Sequence, residues 1–226
     1  MGLRCIHCGS EVKKLYVQYS PGNIRLMKCE NCKEVADHYI ECEFMIILID
    51  LILHKQKAYR HLLYNVLTRD VIDAQGILWK SSLSYLMLDT YRYFLLSSSI
   101  KDLDSSGYSL FSLWICGKIL LNVMFGNFVF SSILLLATWI SSLYSEIARY
   151  EDILLAIIVS SYFKIFLVAM MVWDFPSSVH LIIDLFILSS NIVALKVLTK
   201  LSITQCIGLC LSAHAAKFLT YWSLPL

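Results

Sequence analysis

Two short stretches, Cys5-Ile6-His7-Cys8 and Cys29-Glu30-Asn31-Cys32, decide how the first part of this chain folds. Each is a Cys-x-x-Cys pair, and twenty residues, 9–28, separate them. This is the spacing of a tetrahedral four-thiolate zinc site, because two residues between cysteines let one tight turn aim both sulfurs at a single ion. Gly9, directly after the first pair, suits the backbone angles of such a turn. Cys5, Cys8, Cys29 and Cys32 are therefore the expected metal ligands, and zinc the expected cofactor. Four thiolates saturate zinc and leave no position open for water, so the site is expected to be structural and not catalytic.

Between the pairs, Val12–Tyr19 and Asn23–Lys28 are rich in Val, Leu, Tyr and Ile and flank Ser20-Pro21-Gly22-Asn23, whose Pro and Gly supply the angles of a reversal. The expected result is a zinc ribbon over residues 1–42. So short a domain buries little apolar surface, whereas a structural zinc contributes roughly 10–16 kcal/mol of apparent binding energy in zinc-finger peptides. No apolar leader precedes the first cysteines, so this end is expected in the reducing cytosol, where two disulfides are disfavoured. His7 and His38 lie close to the pairs but read as surface residues once four cysteines are present. Cys42, Cys116, Cys206 and Cys210 lack pair geometry, and burial as small apolar side chains is their default.

Beyond the ribbon, residues 43–69 read as an amphipathic helix. The run Phe44-Met45-Ile46-Ile47-Leu48-Ile49 forms its apolar part, and Asp50, His54, Lys57, His61 and Asn65 share a polar face at steps of four and three. The apolar run is too short for a span, so a helix lying in the membrane interface is expected. Asp50 and His54 form the one conceivable acid/base couple, although a solvated i,i+4 pair is the plainer reading. Residues 70–107 read as a helical, interfacial connector.

Residues 108–226 read as a transmembrane bundle. Hydrophobic residues make up 58% of the chain, and residues 1–109 hold thirteen of its nineteen Lys/Arg and twelve of its seventeen Asp/Glu. Tyr108–Ser145 carries one charge, Lys118, and is either one overlong span or a hairpin broken at Gly126-Asn127. Ile153–Trp173, Val179–Thr199 and Ile203–Leu224 read as three further spans. With the N-terminus in the cytosol, counting five spans puts Arg149, Lys196 and Lys200 in cytosolic connections, so the positive-inside rule favours five over four. Lys118, Lys164, Asp184, His214 and Lys217 sit at apparent membrane depth, where an ionised group must pair, snorkel or line a wet cavity. Lys164 and Asp184 are the expected pair, structural or part of a groove for lipid headgroups. A formal charge of +2, without a basic tract, gives nucleic acid no footprint.

The segments CIHCG (Cys5–Gly9), LYVQYSPGNIRLMKCENCKEVADHYIE (Leu15–Glu41) and LIDLILHKQKAYRHLLYN (Leu48–Asn65) resemble the homology domain of the Arv family, ACAT-related proteins required for viability. The resemblance covers about residues 4–65 and maps the family's zinc ligands onto Cys5, Cys8, Cys29 and Cys32. It implies a multi-span protein of the endoplasmic reticulum, and in some members the Golgi, that mediates sterol homeostasis and intracellular lipid distribution. Effects on sphingolipids and on glycosylphosphatidylinositol precursor delivery are implied as well. The expected fold is thus an all-α membrane bundle of four or five helices with an N-terminal zinc ribbon. The expected partners are membrane lipids, sterols and sphingolipids, together with proteins of lipid synthesis or glycosylphosphatidylinositol assembly. A non-enzymatic lipid mediator is the leading expectation, and an anchored zinc-domain adaptor that recruits lipid-synthesis machinery is the alternative.

Overall fold

The computed structural model describes residues 2–67, 74–98, 110–141, 150–168, 176, 178–199 and 201–223. Its backbone divides into two compact units, Met1–Leu78 and Trp79–Leu226.

In the first unit, strands β1 (Tyr16–Ser20) and β2 (Asn23–Leu26) form an antiparallel hairpin in the register Tyr16↔Leu26, Val17↔Arg25 and Gln18↔Ile24. The ladder slips between Gln18 and Ser20, and Gly22 closes the reversal at φ +82°, a conformation open to glycine without a Cβ clash. Helix α1 (Phe44–Ile52) follows a 3-10 turn at Tyr39–Glu41, and α2 (Gln56–Arg60) continues into a π turn at His61–Val66.

The single amphipathic helix expected over 43–69 is therefore broken, and its last residues, 68 and 69, lie outside the described ones. His54 sits at φ +56°, while the Lys55 amide reaches back to the Asp50 carbonyl at 3.0 Å. That closure ends α1 in the manner of a left-handed cap. Asp50 and His54 consequently do not share a helical face. The Asp50 carboxylate instead accepts from Lys55 Nζ and from the Tyr39 hydroxyl, both at 2.7 Å, and these bonds hold its pKa below the usual carboxylate range. His54 stacks on Tyr59. The expected solvated stripe also fails farther on, because His61 and Asn65 are buried. Phe44, Met45, Ile46 and Ile49 of α1 are exposed, which leaves an apolar outer face.

The second unit is helical: α3 (Ala74–Ser98, in this unit from Trp79), α4 (Leu110–Ser141), α5 (Tyr150–Ser160, extended by a 3-10 turn at Ser161–Ile165), α6 (Ser178–Leu198) and α7 (Ile203–Ser223). Helix α4 runs unbroken through Gly126-Asn127, so no hairpin forms there; its 32 residues extend about 48 Å. Gly126 has a different use. A Cβ at this position would lie 2.8 Å from Tyr221 Cε1 and 3.2 Å from Thr220 Oγ1, so the bare backbone lets α7 approach α4. Small residues play this part in membrane bundles, where close packing replaces the hydrophobic drive.

Phe130 and Leu134 of α4, Ile153 and Ile157 of α5, Leu195 of α6, and Cys206, Cys210 and Ala213 of α7 form the core. Cys206 and Cys210 are buried as expected of apolar cysteines, whereas Cys116 is exposed on α4. A polar seam crosses the same bundle. Ser160 and Ser161 donate to Asn191 Oδ1 at 2.6 and 3.2 Å, and the Ser190 hydroxyl donates to the Ser160 carbonyl at 2.6 Å. This side-chain competition for backbone groups coincides with the change from α to 3-10 geometry at Ser161.

Cys116–Ile140 and Ser178–Leu198 are long and apolar enough to cross a membrane, each with mean hydropathy 2.1 and one third buried. Their outward residues are large and apolar: Phe128 is 70% exposed and Leu181 64%. Such a surface is matched to lipid better than to water.

Replacing Gly126 by leucine is expected to lower the melting temperature of the detergent-purified protein through an overpacking cost of about 1–3 kcal/mol. Gly117→Leu, at a position where an added Cβ meets nothing within 4 Å, is the control and is expected to leave the transition in place.

Candidate metal centre and buried charge cluster

The two Cys-x-x-Cys turns are built alike. In the first, the Gly9 amide bonds the Cys5 carbonyl at 2.9 Å and the Cys5 amide bonds the Ser10 carbonyl at 2.9 Å. In the second, the Lys33 amide bonds the Cys29 carbonyl at 3.0 Å and the Cys29 amide bonds the Glu34 carbonyl at 2.8 Å. Backbone amides of His7 and Cys8 face the Cys5 sulfur, and those of Asn31 and Cys32 face that of Cys29. Each turn closes on a left-handed residue, Gly9 at φ +77° and Lys33 at φ +63°. The second therefore carries a side chain where the backbone favours glycine.

These turns bring all four sulfurs within 4.8 Å of one another, with Cys5–Cys32 at 3.6 Å and Cys8–Cys29 at 3.7 Å. A tetrahedral ion with metal–sulfur bonds of ~2.3 Å requires sulfur pairs about 3.8 Å apart. A disulfide would bring its sulfurs to ~2.05 Å, and all four cysteines are free thiols. The donor set thus fits a metal ion and is closed, with no protein position left for a reactant. His7 and His38 stay outside the cluster and pack edge to face on each other at 6.0 Å. Burial pushes the Cys5 thiol up to about 12. Burial also opposes ionisation at Cys8, but the Ser10 hydroxyl and amide hold its thiol down to about 6. A bound cation would favour the thiolate at every position.

The sequence pattern left unread how α2 braces the first turn. Arg60 donates to the carbonyls of Ile6 and His7 at 3.0 and 2.7 Å, inside the Cys5–Cys8 loop. Asn65 bonds both backbone groups of Arg4, at 3.0 Å each. Behind these lies Asp37, fully buried, whose carboxylate meets His61 Nδ1 at 2.7 Å, Asn65 Nδ2 at 2.6 Å and the Tyr39 amide at 3.0 Å. A buried carboxylate needs such partners, and this need draws His61 and Asn65 inward from the expected solvated face. The spacing of His61 and Asn65, one helical turn apart, was the only available signal.

In the helical unit the expected Lys164–Asp184 pair is not the one formed. Lys164 Nζ bonds Asp89 Oδ1 at 2.6 Å and lies 3.3 Å from the centroid of the Tyr85 ring. Lys217 bonds the other Asp89 oxygen, and Asp184 is taken by Arg92. The reason is burial: the Asp89 carboxylate is 1% exposed and requires compensation by cations, whereas that of Asp184 is 36% exposed. Asp89 and Arg92 lie on α3, which sequence reading placed outside the bundle. A cavity of about 180 Å³ is lined by Tyr85, Arg92, Lys164, Asp184, His214 and Lys217, with Leu185, Leu188 and Phe218 among its apolar walls.

Elemental analysis of the purified full chain is expected to give one metal ion per chain, and Cys29→Ser and Cys5→Ser to lose it. Cobalt loading is expected to give thiolate charge-transfer bands in the wild type alone. Lys33→Gly is expected to keep the metal and to unfold at a temperature no lower than wild type, since it removes a left-handed strain of about 1 kcal/mol.

The Arv1-like family model matches residues 4–195. Protein ARV 2 of Arabidopsis thaliana is 51% identical over 95% of this chain and 92% of its own length. The Dictyostelium discoideum protein arv1 homolog is 36% identical over 85% of this chain and 83% of its own, and human protein ARV1 is 30% identical over 86% and 71%. No solved structure matches the chain. The match runs through both the sulfur cluster and the helical unit, and the chain belongs to the Arv1-like family.

Proposed function

We propose that this chain is a non-enzymatic mediator of sterol and lipid distribution at the endoplasmic reticulum membrane, with effects that extend to sphingolipids. Its N-terminal unit is a cytosolic zinc ribbon in which Cys5, Cys8, Cys29 and Cys32 hold a structural zinc. Its helical unit is a multi-pass bundle whose crossings include α4, α6, α7 and α5 with its 3-10 extension at Ser161–Ile165, and the apolar face of α1 lies in the interface. Membership of the Arv1-like family supports the lipid role. The observation that carries the non-enzymatic reading is the closed donor set, since four thiolates leave the ion no coordination position for a substrate. Engagement of Asp50 by Tyr39 and Lys55 supports it, because the one acid/base couple considered from the sequence is not assembled.

Zinc would supply the N-terminal unit with folding energy and neutralise the thiolates, while Arg60 and Asn65 brace the first turn and Asp37 fixes Asn65. The adaptor alternative assigns the same zinc unit to recruitment and the helices to anchorage alone.

Expression of Cys5→Ala and Cys29→Ala variants in a null cell is expected to leave sterol distribution uncorrected at matched protein abundance, whereas Asp50→Asn restores it. Matching abundance separates loss of role from degradation of an unfolded unit. An adaptor keeps its role when the helices after Leu78 are replaced by an unrelated anchor, and a lipid mediator loses it.

A further inference from the structure

The cavity beside Asp89 carries more positive than negative charge. Three cations, Arg92, Lys164 and Lys217, meet two carboxylates, Asp89 and Asp184. Asp89 is shared between both lysines, one on each oxygen, so its single negative charge faces two cations. Arg92 spends one guanidinium nitrogen on Asp184, and its Nε is buried without a hydrogen-bond partner among the described residues. An unused donor and one formal positive charge therefore remain in a space of about 180 Å³.

The position of the cluster limits what satisfies it. Asp184 lies six residues into α6 and Lys217 six residues before the end of α7, so each is about 9 Å along a helix from its terminus. In a hydrocarbon core of ~30 Å that depth lies beneath the interface but short of the midplane. The apolar walls continue outward: Leu185 and Phe218 line the cavity and are also 57% and 63% exposed, on the surface that faces acyl chains. A sterol offers one neutral hydroxyl and leaves the surplus charge uncompensated. A phosphodiester brings one negative charge and several acceptor oxygens, on a molecule whose tails suit Leu185 and Phe218.

We propose that this cavity receives the phosphate group of a membrane phospholipid, with Arg92 as its principal donor and Lys164 and Lys217 as supporting cations. The assignment deepens the lipid-handling reading above and rests on it for the source of the ligand and for the bilayer around α6 and α7. Asp184 then acts as a competing carboxylate that holds Arg92 until the phosphate arrives. Opposite charge effects at two adjacent residues follow, and a merely structural ion pair does not produce them.

The test uses the full chain purified in a neutral detergent and measures binding of dioleoyl phosphatidylglycerol, dioleoylglycerol and inorganic phosphate by native mass spectrometry. Phosphatidylglycerol is expected to bind at least about tenfold more tightly than dioleoylglycerol, which has the same tails without the phosphate. Arg92→Gln is expected to weaken it by about tenfold, Arg92→Lys to restore most of that loss, and Asp184→Asn to strengthen binding. Equal binding of dioleoylglycerol overturns the proposal, as does Arg92→Gln and Asp184→Asn shifting affinity in the same direction. Inorganic phosphate binding as tightly as the lipid, with the same Arg92 dependence, overturns the lipid assignment in favour of a free anion. Melting temperatures are recorded alongside. Should Arg92→Gln not fold, Asp184→Asn alone decides, with unchanged or weaker binding counting against the site. A failed complementation test leaves this binding result standing, and a failed binding result leaves the sulfur cluster and its role untouched.

Discussion

Four sulfurs from two separate turns must share one small volume, and the N-terminal unit is organised around that constraint. Thiolates so close repel unless a cation lies among them. The hairpin between the turns has few buried side chains, since both strands are largely exposed or half-buried. What holds the turns in place is therefore the sulfur cluster on one side and α2 on the other. Arg60 fastens the first turn by its carbonyls, Asn65 fastens Arg4, and Asp37 orders Asn65 and His61 from beneath. Residues 4–65 fold as one piece because the far end of the segment supplies the hydrogen bonds that its near end lacks.

Much of this was legible in the sequence because it depends on local geometry. Cys-x-x-Cys spacing, Pro-Gly at the reversal and the Val, Leu, Tyr and Ile content of the strands each act over a few residues, and the hairpin and the sulfur cluster follow from them. The helix expected over 43–69 was less legible. Periodicity identified its faces but could not show that Asp37, outside the helix, would draw His61 and Asn65 inward, or that Tyr39 and Lys55 would claim Asp50. Long-range polar pairing overrode a pattern that was sound on its own terms. Gly126-Asn127 shows the same limit in another form. Glycine in a long apolar run reads as a break, yet in α4 its lack of a side chain serves the approach of Tyr221.

The charges of the helical unit were found by residue type and mispaired by position. Asp184 was read as the one acid inside a span, and Lys164 on the preceding helix as its natural partner. What that reading lacks is α3, which lies in the segment 70–107 expected to be an interfacial connector. Its Asp89 is among the most buried ionisable groups in the unit, and two lysines from different helices converge on it. A low-dielectric interior enforces this choice, because an unpaired carboxylate there costs several kcal/mol and a half-exposed one far less. The deepest acid takes the best cations, and the shallower acid accepts what is left.

That ordering is also why the cluster holds a surplus charge and not a balanced set. Two cations on one carboxylate leave a net positive charge, and the Arg92–Asp184 pair beside them is neutral. A negative group entering from outside completes the balance. Lys164 and Lys217 are the less available of the three cations because both are buried and bonded to Asp89, whereas Arg92 retains a buried nitrogen with no hydrogen-bond partner among the described residues. The same physics that assembles the bundle, pairing charge wherever water is excluded, leaves the pairing at Arg92 unfinished among the described residues, and Leu185 and Phe218 line that position beside the lipid-facing surface.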